Sequence, residues 1–189
     1  MSILSDIIDH NRHFVETRQY EAISTPRREP KLAVLACMDA RLTELLPKAM
    51  GLKNGEVKLI KNAGALVTHP WGSVMRSLLL ATYELGVNEI CVVAHYDCGA
   101  SRSSAERILA NAEKRGISAD TITTLRAAGI DLDGWLHGFD NVEDSVRHTV
   151  GQIRSHPLIP RDLPVHGLVI NPHTGALDLI IDGYQTLDA

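Results

Sequence analysis

Apolar residues recur along this chain in two rhythms. Short continuous apolar runs alternate with longer stretches in which apolar positions return every three or four residues. Lys31–Met38 (KLAVLACM), Val57–Lys61 and Glu89–His95 (EICVVAH) are continuous runs and predict strands buried on both faces. Pro70–Leu85 has the helical period, with Trp71, Val74, Met75, Leu78, Leu79 and Leu85 on one broad face and Gly86 as its stop. Ser2–Tyr20 carries a looser helical pattern in Ile3, Ile7, Ile8 and Phe14, and a polar stretch with prolines, Ser24–Pro30, follows it. Ser103 and Glu106 have capping-box spacing and predict a helix running to about Arg115. Further helices fit Ser118–Ala128 and Asn141–His156. Val165–Ile170 and Leu177–Ile181 are β-rich runs around a turn-like Asn171–Gly175, which reads as a hairpin.

Continuous strands alternating with helices predict an α/β fold in three layers. Its central sheet is mostly parallel, has four to five strands, is flanked by helices and ends in an antiparallel C-terminal edge hairpin. In such sheets ligands sit beyond the carboxyl ends of the strands. Cys37 ends the first predicted strand; His95 and Cys98 end the third. If those strands are parallel neighbours, the three side chains emerge at one sheet edge.

Length and composition narrow the function. A chain of 189 residues fits one domain with a substantial core. A net charge of −4 leaves no basic footprint, so neither nucleic acid nor an anionic membrane is an expected partner. No apolar run is long enough to span a bilayer, and Met1–His10 lacks a basic start followed by an apolar block. A cytoplasmic location is the resulting expectation. The three cysteines, Cys37, Cys91 and Cys98, are too few and too uneven for a disulfide framework. Each is open to three readings: core filler, metal ligand or reactive thiol. Mid-strand Cys91 reads as filler. A redox dithiol lacks its Cys-x-x-Cys. The spacing of Cys37 and Arg41 is too short for the phosphate-cradling loop of a cysteine phosphatase.

Thiolate sulfur and imidazole nitrogen are the donors zinc favours, and a catalytic zinc site offers three protein ligands and one open position. Cys37, His95 and Cys98 supply such a trio. The words ACMDARL (Ala36–Leu42), KNAGALV (Lys61–Val67) and AHYDCG (Ala94–Gly99) occur in one order, and as a set they resemble the β-class carbonic anhydrases. The resemblance covers Lys31 to Gly183. It implies a zinc-dependent lyase that hydrates carbon dioxide reversibly to bicarbonate and a proton.

By that resemblance Cys37, His95 and Cys98 hold Zn2+, and Asp39 and Arg41 form a catalytic dyad. Asp39 would itself ligate the metal only in a closed resting form. Gly64 would bind substrate, its amide beside an oxygen of carbon dioxide or bicarbonate. Asp97 is expected either to orient a ligand or to cap the following helix. His69 reads as a surface histidine, and Leu42, Leu66 and Val67 as pocket lining. Neither Phe14 nor Phe139 falls in a family motif, and Gly116–Phe139 is either a cover over the site or surface decoration. The resemblance further implies a homodimer or higher homo-oligomer, with residues 1–30 as a helical arm wrapping a partner and residues 31–189 as the catalytic domain. Two other functions stay open: hydrolysis of a related small cumulene (carbon disulfide or carbonyl sulfide), and a non-enzymatic zinc- or bicarbonate-binding role.

Overall fold

A computed structural model describes residues 2–23 and 29–187. Most of the polar Ser24–Pro30 stretch therefore lies outside the described residues. Five strands, β1 (Leu32–Cys37), β2 (Val57–Asn62), β3 (Glu89–His95), β4 (Val165–Ile170) and β5 (Leu177–Ile181), form one sheet in the order β2-β1-β3-β4-β5. The first four are mutually parallel and β5 pairs antiparallel with β4, as the alternation of strands and helices predicts. Ala33–Ala36 and Ile90–Ala94 are buried almost without residue, so these runs need no polar face. β1 has β2 on one side and β3 on the other, which makes its carboxyl end a topological switch point. Cys37 stands there, and His95 ends the adjacent strand.

Helices cover both faces. In order they are α1 (Ile3–Glu16), α2 (Leu42–Ala49), α3 (Ser73–Tyr83), α4 (Ala105–Lys114), α5 (Ala119–Ala127), α6 (Leu132–Leu136) and α7 (Val142–Arg154). On one face α3 inserts Met75, Leu78 and Ala81, and α7 inserts Val146, Val150 and Ile153. On the other, α2 packs Leu42 and Leu46 beside Val34, Ala36 and Val93.

Several expectations shift. α2 escapes the periodicity reading because Pro47 lies inside it. A proline late in a short helix removes one hydrogen bond without breaking the fold of its buried leucines. α3 begins after Gly72, so Trp71 is not on its apolar face; the indole is 65% exposed and sits edge-on to His156 at 4.7 Å. Ser104, one residue later than expected, caps α4 by accepting from Arg107 N at 3.3 Å, while Ser103 closes the preceding turn. Asn141 caps α7, its Oδ1 accepting from Glu143 N and Asp144 N.

α1 differs from the rest. Ser2 and Ser5 close a capping box at its start, yet none of its residues is buried. Ile3, Leu4, Ile7 and Ile8 are exposed. Among the described residues no helix is long and apolar enough to cross a membrane.

The clamp of α7 on the sheet yields a direct expectation. Ile153 is fully buried, and truncation to alanine leaves a cavity between α7 and the sheet. Ile153→Ala should lower unfolding stability by about 2–5 kcal/mol in urea titrations.

Candidate metal centre

Cys37 Sγ and Cys98 Sγ lie 3.7 Å apart, and with a ring nitrogen of His95 they form a group whose donor atoms all lie within 4.8 Å. It is the only such group of His, Cys, Asp or Glu donors among the described residues. Two sulfurs each about 2.3 Å from one tetrahedral zinc would stand roughly 3.8 Å apart. The sulfurs are too far apart for a disulfide, and all three cysteines are free.

His95 is held in one tautomer. Its Nδ1 donates to the Tyr96 carbonyl at 2.8 Å, which leaves Nε2 with a lone pair. That Nε2 is fully buried and has no hydrogen-bond partner in the described structure. An orphaned imidazole nitrogen facing two sulfurs is costly in an apolar interior and fits a cation. The two sulfurs are within hydrogen-bonding distance of each other. The Cys98 hydrogen bond, acting against burial, draws Cys37 down to about 4, and the same contact with burial pushes Cys98 far up. Binding a cation would therefore expel a proton from the cage.

The dyad forms beside the cage. Asp39 Oδ1 accepts from Arg41 N at 2.9 Å and from Arg41 Nε at 3.0 Å, and Oδ2 accepts from Nη2 at 2.9 Å. The backbone contact is an Asx turn that starts α2; the side-chain pair is a planar fork. Arg41 holds the Asp39 carboxyl down at about 2. Asp39 Oδ2 also stands 3.7 Å from His95 Nε2. The far edge of the guanidinium is engaged as well: Nη1 donates to Asp97 Oδ2 at 3.1 Å and Nη2 to the Asp97 carbonyl at 3.0 Å. Asp97 thus neither orients a metal ligand nor caps a helix; its partner is Arg41.

Gly64 lies beside the cage in the short turn Ala63–Ala65, at φ +81°. Asn62 braces this turn, accepting from Leu66 N and donating to the Leu66 carbonyl. The Gly64 N–H is already engaged, pointing at Cys37 Sγ at 3.4 Å. A Cβ there would meet Ala100 and Leu66 at 3.2 Å. Of the aliphatics expected to line the pocket, Leu42 and Val67 are core residues and Leu66 is half-buried. His69 is exposed, and its Nδ1 accepts from Trp71 N. It borders a cavity of 730 Å³ with His137, Phe139 and His148.

Phe139 is the neighbour that motif reading misses. It is buried in one cluster with Cys37 and Cys98. Gly138 delivers it: a Cβ at Gly138 would fall 1.7 Å from the Ala100 carbonyl oxygen, so only glycine permits this approach. The end of the 116–139 segment therefore covers the cage, while much of α5 lies exposed. The glycine–aromatic pair is visible in the sequence, but nothing local ties it to Cys98.

Comparisons with known proteins agree with this geometry. Residues 32–177 match the family model described as Carbonic anhydrase. The chain is 52% identical to the protein of Bacillus subtilis (strain 168) named "Putative carbonic anhydrase YvdA", over 98% of this chain and 95% of that protein. It is 30% identical to a carbon disulfide hydrolase of Acidithiobacillus thiooxidans, over 83% of this chain and 75% of the hydrolase. It superimposes on the crystal structure of β-carbonic anhydrase isoform I of Trichomonas vaginalis with a TM-score of 0.87 and 35% identity, covering 97% of this chain and 100% of that one.

The donor set predicts the effect of one atom. Cys98→Ser replaces a soft sulfur by a hard, weakly acidic oxygen. Purified Cys98→Ser should hold far less zinc than the wild-type protein by elemental analysis, and an equal metal content would remove Cys98 from the cage.

Proposed function

The chain belongs to the β-carbonic anhydrase family, and from that premise we propose that it hydrates carbon dioxide reversibly to bicarbonate and a proton, using a zinc ion held by Cys37, His95 and Cys98. The observation that carries this reading is the buried, unpartnered Nε2 of His95 facing two sulfurs 3.7 Å apart. When bound, the metal supplies the Lewis acidity that makes a coordinated water a nucleophile near neutral pH.

The chain's own residues do the rest. Asp39 stays ionised because Arg41 grips both its oxygens, so it can accept a hydrogen bond and aim the attacking water. The same grip would keep the carboxylate from joining Cys37, His95 and Cys98 as a metal ligand. Gly64 serves the substrate by lacking a side chain rather than by its N–H, which Cys37 occupies. Phe139 and Leu66 give the cage an apolar flank suited to a small uncharged substrate.

A second reading, hydrolysis of carbon disulfide, is favoured by two relatives named for that activity. Stopped-flow hydration of carbon dioxide, run beside sulfide release from carbon disulfide, separates the two. Fast hydration without sulfide release is expected. A purely zinc- or bicarbonate-binding role fits poorly with an Asp39 already paired to Arg41.

We further assign residues 1–30 to an arm and residues 31–189 to the catalytic domain. The uncovered face of Ile3, Leu4, Ile7 and Ile8 calls for a partner surface, and a second copy of the chain supplies it. Three unpaired cysteines suit a reducing compartment, which supports a cytoplasmic location.

Two outcomes check these assignments. Arg41→Ala should retain zinc and lose on the order of 10²-fold in kcat; unchanged turnover in the stopped-flow assay would remove the dyad from the mechanism. Deleting residues 2–16 should shift the species seen by analytical ultracentrifugation from dimer, or a larger assembly, to monomer.

A further inference from the structure

Asp97 sits between two ligands of the cage and adopts a backbone conformation that few residues adopt. Its φ of +52° is left-handed, one of three such non-glycine positions among the described residues. This turn sends the Asp97 carbonyl and carboxylate in the same direction, and Arg41 receives both, at 3.0 and 3.1 Å. Arg102 approaches the other carboxylate oxygen at 3.7 Å.

The guanidinium is therefore fastened along two edges. Nε and Nη2 meet Asp39; Nη1 and Nη2 meet Asp97. A planar group held at one edge can still tilt about that edge, and contacts at the second edge remove the tilt. Asp39 Oδ2 lies 3.7 Å from His95 Nε2, so a carboxylate that slips from Arg41 is a ready fourth donor to a cation in the cage.

We propose that Asp97 is a positioning residue for the dyad: it locks Arg41 in the plane that keeps Asp39 off the metal, and so holds the fourth position open. This rests on the metal-centre reading above. Asp97 does not touch the reacting atoms and acts only through Arg41. An opposing effect exists, because the negative charge of Asp97 also draws on Arg41. The Asp97 side chain is 58% exposed, so solvent weakens that pull, while the geometric restraint is local and unscreened.

The test exploits the backbone. Asp97→Gly keeps the left-handed turn and its carbonyl contact and removes only the carboxylate. The variant should fold with a Tm no lower than that of wild type and with full zinc content. The cobalt(II)-substituted protein is titrated with thiocyanate and followed by its visible spectrum, because the anion must take the fourth position. Asp97→Gly should bind thiocyanate roughly three- to tenfold more weakly than wild type, and Asp97→Asn should fall between them. In an Arg41→Ala background Asp97→Gly should have no further effect. Equal thiocyanate affinity in wild type and Asp97→Gly, or a full effect persisting without Arg41, would overturn the proposal. Failure of the hydration reading is separately visible: a wild-type protein that holds metal and binds thiocyanate but does not hydrate carbon dioxide.

Discussion

Buried donors that cannot satisfy one another are the constraint around which this molecule is arranged. Cys37, His95 and Cys98 are each less than 5% exposed, and their free valences point inward at a common centre. One imidazole nitrogen is without a hydrogen-bond partner, and it faces two sulfurs 3.7 Å apart. An interior of this kind is unfavourable unless something positive completes it. The parallel sheet makes the arrangement possible because β1 and β3 are neighbours in register and end together. Their positions are fixed by the least compliant part of the core, so the donors cannot drift apart to reach water.

The surrounding layers answer to that centre. The turn after β1 supplies Asp39 and Arg41, the turn after β2 supplies Gly64, and the turn after β3 supplies Asp97 and Cys98. Each turn is pinned by its own local device: an Asx contact at Asp39, the double hydrogen bond of Asn62 to Leu66, and the left-handed residue at Asp97. Arg41 then crosses from the first turn to the third and ties Asp39 to the loop that carries Asp97 and Cys98.

Much of this was legible in the sequence because it depends on residue type and period. β3, β4 and β5 begin and end where their apolar runs do, and the three cage residues stand at strand ends that the pattern marks. The parts that were not legible depend on contacts distant in sequence or on backbone sign. Pro47 hides α2, since a proline in a short apolar stretch argues against a helix that buried Leu42 and Leu46 nonetheless sustain. Phe139 belongs to the site only because Gly138 packs against Ala100, and no local pattern records that approach. Asp97 could be flagged by its place between ligands, but its partner depends on a positive φ that the letters do not show.

The energetics of Arg41 indicate what its outer contact is for. Arg41 and Asp97 side chains are 35% and 58% exposed, a setting in which an ion pair adds little to stability. The left-handed conformation of Asp97 meanwhile costs free energy relative to an ordinary turn. A contact that gains little and requires strain is a poor way to hold a fold together. It is a good way to fix an angle, because the same turn that carries the strain also aims a carbonyl and a carboxylate at one guanidinium. The inner pair differs: Asp39 is only 20% exposed and is gripped through both oxygens, so its orientation is set strongly once Arg41 is placed. Strength at the inner edge and direction at the outer edge are separate tasks, and this structure gives them to different carboxylates.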